Sequence, residues 1–169
     1  MNGKILKFKK IEPDDLKFIF KALSDPVLTK FYGVHFNSIE ETQEQMIWYS
    51  SLIDEKKGIW WKAQDKESEW IGASGFNDWD HQEQSAEIGC WVLPEFWGKG
   101  FGSEIMQSTI SFGFDEMGLV TINGYIDTNN KGIKKVLKKF NFEHLNSELE
   151  KDSKTGLQII TDHYQLKKT

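Results

Sequence analysis

Apolar residues recur three or four positions apart in four segments of the chain, the spacing that places them on one face of a helix. These segments are residues 13–25, 38–53, 100–117 and 129–140. At the start of the second segment, Ser38 and Glu41 form the pattern of a capping box, in which each side chain bonds a backbone N–H at the helix end. The pattern therefore predicts four amphipathic helices.

Seven shorter runs have the alternation or the β-branched and aromatic content of strands. They are residues 4–10, where Ile5 and Phe8 are apolar, and residues 58–66, 69–78, 85–93, 119–126, 141–149 and 156–168. The resulting order, β-α-α-β-β-β-α-β-α-β-β, predicts a mixed α/β domain. Residues 27–38 show little periodicity and are predicted to connect the first two helices.

Length and charge narrow the class of protein. A chain of 169 residues suits one core, so residues 1–169 are predicted to form a single domain. A net charge of −5 disfavours nonspecific binding to nucleic acid or to an anionic membrane. The single cysteine excludes an intrachain disulfide, and no run approaches the roughly 18 apolar residues of a membrane span. We therefore expect a cytoplasmic protein with neither nucleic acid nor membrane as a partner.

The sequence LPEFWGKGFGSE, residues 93–104, places a glycine-rich loop between a strand and a long helix. A helix start leaves backbone N–H groups unpaired and carries a positive partial charge, and glycine lets a bulky anion approach these groups. The loop therefore predicts a phosphate site, although its composition also suits a plain strand-to-helix turn. Its spacing matches neither a Walker loop nor a dinucleotide-binding fingerprint.

Residues 86–104, AEIGCWVLPEFWGKGFGSE, resemble the acyl-CoA-binding core of the GNAT N-acetyltransferases. They are most similar to the branch that contains the ribosomal-protein N-terminal acetyltransferases (RimJ/RimL type). The family pattern is Gln/Arg-x-x-Gly-x-Gly/Ala, and here Trp97 stands in its first position. The resemblance implies acetyl-CoA as co-substrate. It also implies a central twisted, largely antiparallel sheet of about seven strands, flanked by four helices and splayed between strands 4 and 5.

The resemblance further implies which residues contact the coenzyme. Backbone N–H groups of residues 98–103 would hold the pyrophosphate, those near Trp91 and Val92 would face the thioester, and Asn130 would touch the pantetheine arm or hold the neighbouring loop. The predicted set is Trp91, Val92, Leu93, Trp97, Gly98, Lys99, Gly100, Phe101, Gly102, Ser103 and Asn130. No metal is expected, because the four histidines lack the spacing of metal ligands.

Residues 129–142, NNKGIKKVLKKFNF, resemble the family's Asn-x-x-Ser-x-x-Val-Leu-x-Lys-x-Gly-Phe helix. Two positions depart from it: Ile133 stands where serine is usual, and Asn141 stands where glycine is usual. Some relatives use that serine, or a tyrosine of this helix, as general acid, a role that Ile133 cannot fill. Tyr125 on the preceding strand is a weak substitute. The lysines of this helix suit both a solvated surface and attraction of the CoA 3′-phosphate.

Acetyl transfer requires an acceptor amine without its extra proton. An α-amine with a pKa near 8 is about one-tenth neutral at pH 7, so a modest base suffices for an N-terminal acceptor. Glu87 matches the glutamate of this branch's Ala-Glu-Ile-Gly strand and is implied to be that base, acting through a water. The residue type also suits an exposed carboxylate or an ion-pair partner. Strand alternation places Glu87 on the face of Trp91 and places Cys90 opposite, where we expect it to be packed.

The acceptor side is less well defined by the sequence. In this family the segment between the first two helices faces the acceptor, so Tyr32 and His35 are predicted substrate contacts, although His35 also suits a plain loop histidine. Trp79 is the third predicted substrate contact, and the other tryptophans that are candidates for the pocket are Trp48, Trp60 and Trp61.

The leading hypothesis is transfer of an acetyl group from acetyl-CoA to a primary amine by direct attack in a ternary complex, with Glu87 as base. The sequence does not distinguish four possible acceptors: a protein N-terminus, a polyamine, an aminoglycoside and a free amino acid. Because Ile133 replaces a proton donor, a non-catalytic acyl-CoA-binding or sensing domain is a second hypothesis. An interaction domain that binds no CoA is a third. A homodimer is compatible with the sequence.

Overall fold

The computed structural model describes residues 6–151 and 156–169. Within these ranges the strands are β1 Lys7–Lys10, β2 Ile59–Gln64, β3 Trp70–Asp80, β4 Ser85–Val92, β5 Thr121–Asp127, β6 Glu143–Lys151 and β7 Gln158–Lys167. The helices are α1 Leu16–Leu23, α2 Pro26–Thr29, α3 Ile39–Asp54, α4 Phe101–Asp115 and α5 Lys131–Lys139. Short 3₁₀ turns at Pro13–Asp15 and Pro94–Phe96 precede α1 and the glycine loop.

The element order predicted from the sequence is confirmed, with one addition. The described residues contain five α-helices, and not four, because α2 forms inside the segment that was predicted to be a connection. Asp25 caps α2 by accepting hydrogen bonds from the N–H groups of Val27 and Leu28, and Pro26 occupies the first helical position. Ile5, which we predicted to belong to the first strand, lies outside the described residues.

The strands form one sheet in the order β1-β2-β3-β4-β5-β7-β6. All neighbours are antiparallel except β4 and β5, which run parallel and pair only at Ser85–Thr121, Ala86–Ile122 and Glu87–Asn123. Beyond Glu87 the two strands diverge, and no other described strand pairs with residues 88–92 on that side. The predicted splay between strands 4 and 5 is therefore confirmed.

Two apolar layers cover the sheet. On one face, α1 and α3 pack over a cluster that includes Tyr49, Trp60 and Trp91. On the other face, α4 and α5 pack over a cluster that includes Ile88 and Leu137. Because neighbouring residues of β4 point to opposite faces, Glu87 lies on the α1/α3 face, and the gap beside β4 joins the two layers. Among the helices of the described ranges, none combines the length and apolarity that crossing a membrane requires.

Candidate active site

A cavity of about 430 Å³ opens where β4 and β5 separate. Its wall comes from both faces of the sheet. The α1/α3 side contributes Phe31, Tyr32, Val34, Gln45, Trp48 and Trp60; strands β3 to β5 contribute Asn77, Glu87, Ile88, Gly89, Cys90, Gly124, Tyr125 and Ile126; and the α4/α5 side contributes Met106, Asn130, Ile133 and Leu137. A cavity that passes between two strands can therefore admit one ligand from each side.

The backbone of β4 presents hydrogen-bonding groups to this gap. The N–H of Leu93 donates to the carbonyl of Ile71 on the β3 side at 2.9 Å. Since the backbone groups of successive residues in a strand point to alternate sides, the N–H groups of Cys90 and Val92 face the gap, and that of Trp91 faces β3. The carbonyl of Val92 is occupied, because it accepts a hydrogen bond from Trp97 Nε1 at 2.7 Å. The N–H groups of Cys90 and Val92 are therefore directed toward an oxygen that enters the splay.

Glu87 stands at the last residue pair before the splay, with Asn77 of β3 on one side and Asn123 of β5 on the other. Burial raises the pKa of its carboxyl from 4.5 to about 7. The charge of Asp78 adds to the rise, and a hydrogen bond with Asn77 opposes it. A carboxyl that is half ionised near neutral pH can accept a proton and release it again.

The glycine loop fits a diphosphate. Gly98 and Gly100 have φ values of 73° and 87°, a conformation that favours glycine. Gly102 lacks that conformation, and a Cβ built on it would meet only Val92 Cγ2, at 3.8 Å. Neither backbone nor packing therefore requires glycine at position 102, whereas a bulky ligand above the loop would.

The start of α4 offers donors to such a ligand. Gly100 is the N-cap and provides no side-chain cap. Among the described residues, the N–H groups of Gly98, Gly100 and Gly102 make no backbone hydrogen bond. Unpaired N–H groups at the positive end of a helix suit an anion. The N–H of Ser103 is already used, because it donates to the carbonyl of Gly100 at 3.1 Å.

Other residues predicted to contact the coenzyme have structural partners. Trp91 is buried under α1 and α3, and Leu93 is buried with its N–H and carbonyl both bonded. Phe101 packs edge-on against Phe96, and the ammonium of Lys99 lies 5.2 Å from the same ring.

Asn130 lines the cavity, and its side chain caps α5 by accepting a hydrogen bond from the N–H of Ile133 at 3.2 Å. These residues shape the loop and the wall.

Helix α5 is fixed to the sheet by an ion pair. Lys134 Nζ lies 2.6 Å from Asp162 Oδ2, and Asp162 also accepts a hydrogen bond from Ser147 at 2.6 Å. This contact holds the wall that carries Asn130 and Ile133. Ile133 adds an apolar surface to the cavity.

In the part of the chain that the structure describes, two tyrosines line the cavity, and both keep their hydroxyl protons at neutral pH. Burial raises the pKa of Tyr32, and the charges of Tyr49, Cys90 and Glu87 add to the rise. The pKa of Tyr125 is raised by burial and by Glu87 as well, and its ring stacks on His163 at 4.4 Å. Since both remain protonated at neutral pH, either hydroxyl can donate a proton or a hydrogen bond.

Of the three predicted substrate contacts, only Tyr32 lines the cavity. His35 is turned toward Thr29, with Nδ1 at 2.9 Å from the hydroxyl oxygen. Trp79 packs in the opposite layer against His81, with ring centroids 4.1 Å apart. Trp79 lies in that layer because β3 contains an extra residue around Asp78, which has a φ of 50°. The extra residue reverses the alternation of the strand from that point on.

Several wall residues were not identified from the sequence. Phe31, Gln45 and Asn77 reach the cavity from three different elements. Only Asn77 had a usable signal, because the β3–β4 hairpin pairs it with Glu87. Of the tryptophans that were candidates, Trp48 and Trp60 line the cavity, while Trp61 packs against Phe112 at 4.6 Å.

Gly89 makes room for the Trp60 ring. A Cβ at Gly89 would lie 2.4 Å from Trp60 Cη2, so Gly89→Ala should overpack the cavity wall and lower the free energy of unfolding by about 1–3 kcal/mol. Gly124→Ala is the control on the facing strand, because its Cβ would lie 4.0 Å from its nearest neighbours. Urea denaturation of both variants measures the difference. Equal stability losses would contradict this packing role.

No group of three or more histidine, cysteine, aspartate or glutamate side chains in the described part of the chain could hold a metal ion. Cys90, the single thiol, is partly buried, and burial raises its pKa to about 12. A thiol with such a pKa is a poor nucleophile at neutral pH, in agreement with a packing role.

Comparison with known proteins adds independent evidence. Residues 6–143 match the family model described as "Acetyltransferase (GNAT) domain". The chain is 32% identical over 140 residues to "Uncharacterized N-acetyltransferase YoaA" of Bacillus subtilis (strain 168), which covers 82% of this chain and 79% of that protein. It is 30% identical over 140 residues to "Uncharacterized N-acetyltransferase p20" of Bacillus licheniformis, with the same coverage.

Solved structures show the same fold at lower identity. The spermidine N-acetyltransferase from Vibrio cholerae in complex with CoA and spermine has a TM-score of 0.84 at 18% identity, covering 96% of this chain and 95% of that one. A dodecameric structure of the same enzyme in an intermediate state has a TM-score of 0.78 at 18% identity, covering 96% of this chain and 93% of that one. GNAT acetyltransferases use acetyl-CoA as co-substrate. The chain therefore belongs to the GNAT family and is an acetyl-CoA-dependent acetyltransferase.

Proposed function

We propose that the protein transfers the acetyl group of acetyl-CoA to a primary amine by direct attack in a ternary complex, with Glu87 as the base. The observation that carries this proposal is the position of Glu87, whose carboxyl has a pKa of about 7 and lines the cavity at the splay of β4 and β5. Such a carboxyl can take the proton of an incoming amine, directly or through a water.

Each part of the site has a role in this proposal. The N–H groups of Gly98, Gly100 and Gly102 bind the coenzyme diphosphate and so fix its direction. The N–H of Val92 faces the oxygen of the reacting acetyl group. The hydroxyl of Tyr125 donates a proton to the departing thiolate in place of the serine that Ile133 replaces. A thiol with a pKa near 8.5 is a fair leaving group, so this donor has a modest effect.

The acceptor is a protein N-terminal α-amine or a small-molecule amine. The resemblance to the ribosomal-protein N-terminal acetyltransferase branch supports the first, and the likeness to spermidine N-acetyltransferase supports a small amine. Cytoplasmic location and a homodimer remain predictions from the sequence.

Free-thiol release from acetyl-CoA, measured with a panel of amines, tests the proposal. We expect turnover with at least one amine and a strong loss in Glu87→Gln. Tight CoA binding without turnover on any amine would favour the non-catalytic sensor instead, for which the specific observation is Ile133 in place of a proton donor.

The pH dependence gives a second test. Because only the ionised carboxylate accepts a proton, kcat/KM should rise with pH through an apparent pKa near 7, above which Glu87 is ionised. The amine contributes its own rise at higher pH. In Glu87→Gln the rise near pH 7 should disappear while that of the amine remains; a profile unchanged by the substitution would contradict the assignment.

A further inference from the structure

We infer that the acceptor is an amine that carries a single positive charge on an apolar body, and not a polyamine. The inference rests on the proposed amine acetylation and specifies its substrate class. It comes from the charges and rings that line the cavity on the α1/α3 side of the sheet.

The described lining of the cavity contains one charged side chain. Among the described residues that line it, Glu87 is the only acidic residue, and lysine, arginine and histidine are absent. Asp78 is near enough to influence Glu87, but it is exposed, lies outside the lining and accepts a hydrogen bond from Asn77 Nδ2 at 2.8 Å. One carboxylate matches one ammonium, which gives up a proton before it reacts.

A second ammonium inside the cavity would find no second carboxylate among the described residues that line it. Removing an ion from water without a partner costs more than contact with an aromatic face returns. An acceptor with two or three charges along its length must therefore hold the additional ones outside the cavity or lose affinity.

Aromatic rings form the wall around the acceptor. Phe31 and Tyr32 come from the segment after α2, Trp48 from α3, and Trp60 from β2. The rings of Trp48 and Trp60 lie 6.1 Å apart, and Trp60 packs on Tyr49 at 5.6 Å. Such rings favour an apolar body, because its contact with them removes apolar surface from water.

An amine with one positive charge on an apolar body can come from two sources. It can be a free apolar amine, or it can be the N-terminal residue of a peptide when that residue has an apolar side chain. Hexylamine and 1,6-diaminohexane form the central pair of the test, since they share a length and differ by one ammonium. A tetrapeptide with N-terminal phenylalanine and one with N-terminal lysine form the second pair. The two pairs together distinguish the sources.

We expect kcat/KM, measured by thiol release, to be at least about tenfold higher for hexylamine than for 1,6-diaminohexane or spermidine. The phenylalanine peptide should exceed the lysine peptide if the source is a peptide. Turnover of the diamine or spermidine as fast as hexylamine, with the lysine peptide equal to the phenylalanine peptide, would overturn the inference and leave the proposed function intact. Absence of turnover with every amine would overturn both.

A variant tests the aromatic wall directly. Trp48 is 37% exposed, so Trp48→Ala should fold and should lower kcat/KM for hexylamine by about tenfold or more, with a smaller loss for ethylamine. Ile47→Ala is the matched control, because Ile47 is the neighbouring residue of α3, is 67% exposed and does not line the cavity. Equal losses for the two amines in Trp48→Ala would contradict an apolar contact.

Discussion

Glu87→Gln is expected to lower kcat/KM by about 10²- to 10⁴-fold at pH 8, the usual loss when a general base is removed. The same substitution should stabilise the fold at that pH. Glutamine keeps the shape of the side chain and its ability to accept a hydrogen bond from Asn77, but it cannot accept the proton of the amine. A variant that loses activity and gains stability separates a catalytic carboxylate from a structural one.

The sign of the stability change follows from the direction of the pKa shift. The pKa of Glu87 is about 7 in the folded protein and 4.5 as an ordinary carboxyl, so the folded state binds the proton more tightly. Wild type therefore loses stability as the pH rises from 4.5 to 7, by up to about 3 kcal/mol at 1.36 kcal/mol per pKa unit. Glutamine does not ionise and avoids that loss.

Thermal unfolding at pH 5 and pH 8 measures this effect. The melting temperature of Glu87→Gln should exceed that of wild type only slightly at pH 5 and by more at pH 8. Each kcal/mol of added stability raises the melting temperature by about 2 to 4 °C. Asp78→Asn is the matched control: it removes the neighbouring charge, keeps most of the activity and lowers the apparent pKa of the rate profile. A Glu87→Gln protein that is less stable than wild type at pH 8 would show that the carboxylate supports the fold.

Gly102→Val should weaken CoA binding by about tenfold to a hundredfold, because the loss of one hydrogen bond to a charged group costs roughly 1.5–3 kcal/mol. Folding should change little. A Cβ at this position would have its nearest contact at 3.8 Å, and valine has a higher helix propensity than glycine. Gly100 is a poorer test, because its φ of 87° strains any other residue there.

Calorimetric titration with CoA and urea denaturation of the same protein give the two quantities. Ser108→Val is the control, since it introduces the same side chain at an exposed position of α4 away from the loop. Two results would argue against diphosphate binding at this loop. One is a loss of CoA affinity in Gly102→Val that is matched by a similar relative loss in the free energy of unfolding. The other is a CoA affinity equal to that of Ser108→Val.

Much of this architecture could be predicted from local signals. The helices α1, α3, α4 and α5 were visible because each buries one face, and the glycine loop was visible because its residues are unusual before a helix. Glu87 could be proposed as the base from a family resemblance, and the structure adds what the sequence lacks: the burial that raises its pKa. The short α2 was missed, because four residues are too few for a periodic pattern.

Only part of the cavity wall on the α1/α3 side could be predicted, because the rest depends on tertiary structure. One extra residue near Asp78 sends Trp79 to the other face of the sheet, and a strand pattern alone cannot show such a bulge. Phe31, Gln45 and Trp48 meet only after the chain folds. The role of Gly89 was also missed: the register between β3 and β4 is regular there, and the glycine serves the Trp60 ring.

The central claim is that backbone N–H groups at the start of α4 bind the coenzyme diphosphate and thereby direct the thioester into the splay beside Glu87. A crystal structure with CoA bound tests it most directly. We predict diphosphate density against residues 98–103, with the pantetheine arm between β4 and β5 and the sulfur facing Glu87. Coenzyme bound elsewhere, with residues 98–103 in contact with solvent alone, would contradict the account.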